Sequence, residues 1–317
     1  MKYNLKRLLF LFVPIAIGTG TLLFFQSCKH KTTINSSDRF NSDSSKIVVD
    51  ESFSPIVDEE FYIFRALDKQ MRPQVLYAPE NEAISLLLAD SVRVAILSRN
   101  LTAQENRVLS GRNIKPVVDR FAIDAVALIV NEKSNDTTIT VSEIKKMLNG
   151  DTKYGKVIVF DNPNSGLVRY LKEFSGNTTF KQKYIYALKS NKDAIRYVSE
   201  HPNAIGIVGF SWLNDPDKDY ADAVQKVKIV GVRDDMSKNA DQNYFTPSQA
   251  TLALKQYPLT RNLYILNCTG TSYSLGMKFA VFLRSDRGQR IILKSGLLPD
   301  KIPNRKINVI KWEQKGK

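Results

Sequence analysis

The sequence predicts an α/β fold made of two lobes with a ligand cleft between them. From about residue 47 onward, short β-branched runs alternate with helical patterns. Continuous apolar strands between helices are typical of sheets that helices cover on their faces. The body of about 265 residues is longer than one hydrophobic core usually holds. We therefore expect two lobes, each a mixed sheet flanked by helices.

The individual elements follow from the apolar pattern and from helix-capping residues. Strands are expected at 47–49, 74–77, 94–97, 125–130, 156–160, 204–210, 227–232 and 262–266. Helices are expected after Pro55, after the capping box that begins at Thr102, from Ser142 to Asn149, and in two segments of 272–296 that break around Ser285.

The N-terminal segment is expected to direct the chain out of the cytoplasm. Residues 1–27 combine early Lys and Arg residues with an apolar run at 8–25, which is typical of a signal peptide, and the following Cys28 suits lipid attachment. An uncleaved anchor helix is the alternative. Residues 28–46 are rich in serine and predict a disordered tether. Either way, the body lies in the cell envelope on the periplasmic side, attached to a membrane.

The lobe boundaries are predicted from two polar stretches. N-E-K-S-N-D-T-T begins at 131 and Y-F-T-P-S-Q ends at 249, so the chain is expected to cross between lobes twice. The first lobe would comprise 47–130 plus 250–313, and the second, inserted lobe would comprise 131–249.

The charge favours an anionic partner over nucleic acid. The net charge of +14 falls to +11 without residues 1–27, which hold three of the 46 basic residues and none of the 32 acidic ones. A basic body outside the cytoplasm points to an anionic ligand or a membrane surface, or only to a lysine-rich surface. No basic run with interleaved aromatic residues predicts a nucleic-acid site.

The sequence carries no pattern that predicts an enzyme, a metal site or a cofactor. It lacks a G-x-S-x-G elbow, a P-loop and a G-x-G-x-x-G turn, and its two histidines offer no zinc ligand set. Asp119 and Asp124 are expected at turn or strand-edge positions near the lobe crossing rather than as a catalytic pair.

The stretch F-D-N-P-N-S-G-L-V-R-Y-L at 160–171 predicts a strand, a turn and a helix start. The free N–H groups of that helix start favour an anion, which Arg169 can also reach from one turn later. Simple capping by Asn164 or Ser165 explains the same residues equally well. Polar residues at 50–54, 79–82 and 98–100 follow other strands, and ligands of open α/β sheets lie beyond such strand ends.

Several segments, in order, resemble the phosphate-binding protein of bacterial phosphate ABC transporters, within the type II periplasmic binding protein superfamily. They are S-K-I-V-V-D-E-S-F-S-P-I, V-A-I-L-S-R-N-L-T-A-Q-E, F-A-I-D-A-V-A-L-I-V-N, V-S-E-I-K-K-M-L-N-G, F-D-N-P-N-S-G-L-V-R-Y-L, A-I-G-I-V-G-F and F-L-R-S-D-R-G-Q-R-I-I-L-K-S-G-L-L-P. The resemblance implies a divergent, non-enzymatic member that binds phosphate or a related oxyanion as a monomer and hands it to an ABC permease. An interaction or scaffold lipoprotein that keeps this fold without transport is the alternative.

The resemblance also implies the ligand-binding residues. By position these are Ser52, Phe53, Ser98, Asp161, Asn164, Ser165, Gly166 and Leu167. Asp161 stands where the family's turn has an arginine, and Leu167 replaces a threonine. Either Arg169 or Arg99 then supplies the cation and Asp161 accepts a hydrogen bond from a protonated phosphate, or the ligand is another small anion, or tight binding has been lost.

Overall fold

The computed structural model describes residues 46–67, 73–151, 155–180, 183–238, 241–270 and 274–303. These residues belong to one compact unit. The predicted signal peptide and Cys28 lie outside the described residues, and so does the predicted tether except for Lys46. Residues 304–313, at the end of the predicted first lobe, lie outside them as well.

Twelve strands occur among the described residues, and each of the eight predicted runs overlaps at least one of them. They are β1 (Lys46–Asp50), β2 (Gln74–Ala78), β3 (Val94–Leu97), β4 (Val117–Asn131), β5 (Thr138–Thr140), β6 (Val157–Phe160), β7 (Ile185–Ala187), β8 (Ala204–Gly209), β9 (Val227–Ile229), β10 (Gly231–Arg233), β11 (Thr260–Asn267) and β12 (Leu298–Pro299).

Two strand predictions differ from the structure. The predicted run 125–130 is only the last part of β4, because the polar and exposed residues at the start of that strand hide its apolar pattern. The predicted run 227–232 divides into β9 and β10, which have different partners: β9 pairs with β4, and β10 pairs with β5 in a separate two-stranded sheet.

The long strand β4 joins two sets of parallel strands into a ten-stranded sheet. The order is β2-β1-β3-β11-β4-β8-β6-β7, and β9 and β12 also pair with β4. β1 is parallel to β2 and β3, and β6 is parallel to β7 and β8. β4 is antiparallel to β11 along its first part and to β8 along its last part. The predicted α/β class with mixed sheets is confirmed.

Eleven α-helices surround these strands in the described part of the chain. They are α1 (Ser54–Leu67), α2 (Glu80–Leu88), α3 (Ala103–Ser110), α4 (Val141–Leu148), α5 (Gly166–Ser175), α6 (Asn191–Glu200), α7 (Ser211–Asn214), α8 (Ala221–Gln225), α9 (Gln249–Ala253), α10 (Leu275–Leu283) and α11 (Asp286–Lys294). None of these helices is both long enough and apolar enough to cross a bilayer.

Side-chain caps begin several helices where the sequence predicts them. Thr102 forms the predicted capping box with Glu105 at the start of α3, and Ser285 caps α11 and separates it from α10. The start predicted for α4 at Ser142 is wrong. Thr140 caps this helix through a box with Glu143, because Thr140 has the glutamate three residues later that a capping box requires.

Helix α1 is fixed to the body through the apolar face that its sequence pattern predicts. Val57, Phe61 and Phe64 are all buried. The Phe61 ring stacks on Phe279 of α10 with centroids 4.1 Å apart, and the Phe64 ring meets Phe279 edge-on at 5.1 Å. Such ring pairs contribute roughly 0.5–1.5 kcal/mol each beyond their burial.

The division into two lobes stays a prediction. The predicted boundary after residue 130 lies next to the end of β4 at Asn131, and the second boundary, after residue 249, lies at the first turn of α9. Both lobes would then share the sheet through β4, since this strand pairs with β11 and β8 in succession.

Glu60 of α1 is a buried carboxyl group without a hydrogen-bond partner among the described residues. The residue is fully buried, and neither Oε1 nor Oε2 finds a donor. Burial, followed by the charge of Glu59, raises the pKa of Glu60 to about 9. The side chain is therefore neutral in the folded protein at neutral pH, and its desolvation opposes folding.

Replacing Glu60 with leucine is expected to stabilise the protein. Glu60→Leu should raise the free energy of unfolding by about 1–3 kcal/mol at pH 8, because it removes an unpaired buried polar group. The gain should be smaller at pH 5, since folding of the wild type takes up a proton at Glu60 and this costs more as the pH rises. Urea denaturation at both pH values measures the difference.

The matched control is Glu82→Leu, an exposed position in the first turn of α2. It should leave the urea midpoint close to that of the wild type. A midpoint lowered by Glu60→Leu at pH 8 would contradict the assignment of Glu60 as a destabilising group.

Candidate functional site

Ser165 caps helix α5 directly after the turn that follows β6. Its Oγ accepts a hydrogen bond from Val168 N–H at 3.2 Å, with an extended Ser165 backbone. The Gly166 N–H, next along the chain, donates to Asp50 Oδ2 at 3.2 Å. The same helix start therefore has a capping side chain and also faces a buried carboxyl group. The capping interpretation and the anion-binding interpretation of this stretch thus do not exclude each other.

Gly166 lets two carboxyl groups reach the start of α5. A Cβ atom at this position would lie 2.2 Å from Asp50 Oδ2, 2.7 Å from Glu80 Oε2 and 2.9 Å from Ser98 Oγ. Any side chain would overlap these atoms, so the close approach itself requires glycine. The last residue of β1 and residues that follow β2, β3 and β6 thus meet at the start of α5.

Asp161 faces this place and binds three polar side chains. Its carboxyl group accepts from Ser165 Oγ at 2.6 Å, from Asn191 Nδ2 at 3.0 Å and from Ser52 Oγ at 3.2 Å. Burial raises the pKa of Asp161 to about 6, although the bond from Ser165 acts in the opposite direction. Two of the hydroxyls predicted to bind a ligand are therefore bonded to Asp161.

Glu80 holds the other three predicted donors. Its carboxylate accepts from Ser98 Oγ at 2.8 Å, from Arg169 through Nε and Nη2, and from Arg99 Nε at 3.3 Å. The Glu80 side chain is only 1% exposed. Arg169 Nη2 also donates to Ser98 Oγ at 2.7 Å. Glu80 thus occupies the centre of a cation and hydroxyl cluster that resembles an oxyanion site.

Arg99 donates hydrogen bonds to two glutamates, Glu80 and Glu105. Its Nη1 and Nη2 donate to the two carboxylate oxygens of Glu105 at 2.7 and 2.8 Å. These bonds lower the pKa of Glu105 to about 2. Since Glu105 already forms the capping box of α3, Arg99 is anchored to that helix and directs only Nε toward Glu80.

Asp50 completes a set of three buried carboxyl groups. It lies at the end of β1, where it accepts from Ser52 N–H at 3.1 Å and from Gly166 N–H. Burial, followed by the charge of Glu80, raises the pKa of Asp50 to about 7. Asp50 therefore carries a proton for part of the time at neutral pH.

Arg261 of β11 lies beside this set and was not predicted. Its Nε donates to Asp124 Oδ2 at 2.9 Å, and its guanidinium lies over the Phe53 ring at 4.4 Å from the centroid. The Arg261 side chain is 2% exposed. Its positive charge opposes the rise that burial produces in the pKa values of Asp50 and Asp161.

The sequence does contain a signal for the pair of Arg261 and Asp124. Asp124 stands between the apolar residues Ile123 and Ala125 of its strand, and a buried charge in a protein is normally paired, so a basic partner was to be expected. The interpretation of Asp119 and Asp124 as turn or strand-edge residues is wrong, because both lie within β4 and Asp124 is fully buried. Asp119 is more exposed and pairs with Arg284.

The remaining predicted residues have different surroundings. The Leu167 side chain is fully buried in the main hydrophobic core. Asn164 is exposed, and its carbonyl accepts from Asn81 N–H at 3.3 Å. Phe53 is fully buried under Arg261. Which of the predicted residues contact a ligand stays a prediction, but the polar ones other than Asn164 converge.

The site therefore combines serine hydroxyls, a helix N-terminus and guanidinium groups with three carboxyl groups. Hydroxyls, N–H groups and arginines are the donors that oxyanions require. Each hydroxyl or guanidinium group among the predicted donors is already bonded to Glu80 or Asp161. In the described ranges, no group of three or more His, Cys, Asp or Glu residues is arranged to hold a metal ion.

The comparison with known families agrees with this architecture. Residues 35–287 match a family model described as "PBP superfamily domain". The chain belongs to this superfamily. The predicted resemblance to phosphate-binding proteins of ABC transporters is confirmed, and so is the predicted type II periplasmic binding protein-like fold of this PBP-superfamily chain.

Individual relatives cover most of the PBP-superfamily chain. The phosphate-binding protein PstS of Borreliella burgdorferi is 25% identical over 280 residues, which cover 81% of this chain and 91% of the relative. A phosphate-bound substrate-binding protein of a putative phosphate ABC transporter from Clostridium perfringens has a TM-score of 0.64 at 20% identity, over 81% of this chain and 99% of its own. A phosphate transport receptor from Vibrio cholerae has a TM-score of 0.60 at 20% identity, over 80% and 98%.

The free energy of unfolding is expected to fall as the pH rises from 5 to 7. The pKa values of Asp161 and Asp50 are about 6 and 7 in the folded protein, against an ordinary value of 3.8. The folded state therefore binds more protons than the unfolded chain over this interval and loses stability as they dissociate. Urea midpoints at pH 5, 6 and 7 measure this slope.

Asp50→Asn should flatten the slope across the whole interval from pH 5 to 7, because it removes a group that keeps its proton in the folded state and loses it in the unfolded chain. Asp222→Asn, at an exposed position in α8, is the control and should keep the wild-type slope. An unchanged slope in Asp50→Asn would show that Asp50 does not retain its proton.

Proposed function

We propose that this protein is an extracytoplasmic solute-binding protein that captures phosphate or a related small oxyanion for an ABC transporter. The observation that carries the proposal is the convergence of Ser52, Ser98, Ser165, the Gly166 N–H and Arg169 on buried carboxyl groups. Groups that bind these carboxyl oxygens have the chemistry to bind the oxygens of a small oxyanion.

The relatives support the same function. The PstS protein of Borreliella burgdorferi and the transport proteins of Clostridium perfringens and Vibrio cholerae are described as phosphate-binding or phosphate-transport components. A solute-binding protein of this kind delivers its ligand to a membrane permease. We include that permease as the partner and a monomer as the working state.

The proposed location follows from the N-terminal sequence. Residues 1–27 supply an export signal, and lipid on Cys28 attaches the protein to a membrane on the periplasmic side. Residues 28–45 then act as the tether that lets the body reach the permease. In this role the protein performs no catalysis, since capture and release require none.

Binding of an external oxyanion has to compete with the internal carboxyl groups. Glu80 holds Arg99, Arg169 and Ser98, while Asp161 holds Ser52 and Ser165. Protonation of Asp161 and Asp50 lowers the negative charge that an incoming anion meets, so the affinity should be greater at pH 6 than at pH 8.

The second candidate is an interaction or scaffold lipoprotein that keeps the fold without transport. One observation favours it: the hydroxyl and guanidinium donors predicted for the ligand already have acidic partners within the protein. A site closed by its own side chains needs no ligand to satisfy those donors. The two candidates make opposite predictions for phosphate binding.

Calorimetric titration of the phosphate-stripped protein with inorganic phosphate at pH 6 separates the two candidates. We expect a saturable heat with a Kd below about 1 mM and an increase in Tm at saturating phosphate, because a ligand that binds only the folded state stabilises it. Absence of both the heat and the Tm increase at millimolar phosphate would exclude phosphate capture and favour the scaffold function.

Removing the charge of Glu80 is expected to strengthen phosphate binding. Glu80→Gln keeps the shape of the side chain, removes a negative charge beside the anion, and weakens the hold on Arg99 and Arg169. A gain of about tenfold in affinity corresponds to roughly 1.4 kcal/mol. Calorimetry with phosphate at pH 7 measures the change.

Glu82→Gln is the matched control, because it removes the same charge from an exposed position in the same first turn of α2. Its phosphate affinity should equal that of the wild type. Equal or weaker binding by Glu80→Gln would mean that Glu80 does not compete with the ligand.

A further inference from the structure

Two nitrogen atoms of Arg261 are buried donors without an acceptor. Nη1 and Nη2 have no hydrogen-bond partner among the described residues, although Nε is bonded to Asp124. The side chain is 2% exposed, so bulk water does not satisfy these atoms. Unpaired buried donors are rare in native proteins and point to an ion, a water or a ligand.

The free end of Arg261 lies at the candidate site. A Cβ atom on Gly209 would lie 3.0 Å from Nη2 and 3.6 Å from the carbonyl oxygen of Ser52, so Nη2 is close to the loop that follows β1. The Gly209 N–H donates to Asn191 Oδ1 at 3.0 Å, and Asn191 donates in turn to Asp161. Nη2 therefore lies next to the group of residues that surrounds Asp161.

The orientation of Arg261 is fixed by two neighbours that leave its outer nitrogens available. Asp124 is fully buried and binds only Nε, with a distance of 2.9 Å. The Phe53 ring covers one face of the guanidinium, which favours a cation there without using any N–H group. A guanidinium held in this way presents its two NH₂ groups as a fork.

We propose that Arg261 is a ligand-binding residue whose Nη1 and Nη2 bind oxygen atoms of the captured oxyanion. The inference rests on the proposed function and names the cation of that site. A planar guanidinium suits an oxyanion because its N–H groups can contact two oxygen atoms at once. In this arrangement Phe53 and Asp124 are positioning residues. Arg261 of β11 takes the role of the arginine that the family's turn carries where this chain has Asp161.

Arg261 also differs from the two cations predicted from the sequence. Arg99 and Arg169 are each bonded to glutamates, through Glu80 and through Glu105 or Glu173. Arg261 has spare donors and needs no ion pair to be broken before it binds an anion. Its positive charge acts on Asp50 and Asp161, two of the three carboxyl groups of the site, which agrees with its position beside them.

The test is phosphate titration of Arg261→Lys at pH 6, with Arg284→Lys as the matched control. Lysine keeps the charge beside Asp124 but loses the fork, so we expect the Kd for inorganic phosphate to rise about 100-fold. Arg284 also pairs with an aspartate of β4 but lies at the surface. Arg284→Lys should bind phosphate within about twofold of the wild type.

A measurement on the wild-type protein covers the case in which Arg261→Lys does not fold. In protein with ¹⁵N-labelled arginine, phosphate should shift the side-chain signals of one arginine. The same shifting signal should still be present in the spectra of Arg99→Lys, Arg169→Lys and Arg284→Lys, because it belongs to none of these three residues. Such a signal supports Arg261. If phosphate shifts no signal of this kind, the inference is overturned.

The outcomes separate this inference from the function on which it rests. If wild-type protein binds phosphate and Arg261→Lys binds it equally well, Arg261 is only a structural partner of Asp124 and the inference fails alone. If the wild type binds no phosphate, the proposed function fails and the inference fails with it. Weaker binding by Arg261→Lys together with normal binding by Arg284→Lys supports both.

Discussion

The site depends on the burial of three carboxyl groups, Asp50, Glu80 and Asp161, beside the start of one helix. Burial in a medium of low polarity disfavours their charged forms, so each must be bonded, paired with a cation or protonated. Glu80 is paired with Arg169 and Arg99, whereas Asp50 and Asp161 have raised pKa values. The surrounding loops are held together by these requirements.

The fold was largely predictable from the sequence because its signals are local. Alternating apolar runs gave the strands, and capping residues such as Thr102 and Ser285 gave the helix starts. The start of α4 was misplaced because the capping box of Thr140 and Glu143 was overlooked. The full length of β4 was missed because polar, exposed residues at its start obscure the apolar period on which the prediction relies.

The site was predictable in its location but less so in its bonding. Ser52, Ser98, Ser165 and Gly166 were expected near one another because polar turns at strand ends meet in an α/β sheet. Neither the insertion of Glu80 among Arg99, Arg169 and Ser98 nor the placement of Arg261 follows from local pattern. Both depend on contacts between residues far apart in the chain.

The length of β4 has a consequence for how this chain tolerates change. Side chains alternate between the two faces of a strand, so one residue added between Asp124 and Asn131 would reverse the faces of everything that follows it. Asp124 would stay opposite Arg261 of β11, while the residues of β4 that pair with β8 would change faces. Evolutionary insertions and deletions are therefore better tolerated in the turn after Asn131 than within β4, whose length is constrained by both its pairing with β11 and its pairing with β8.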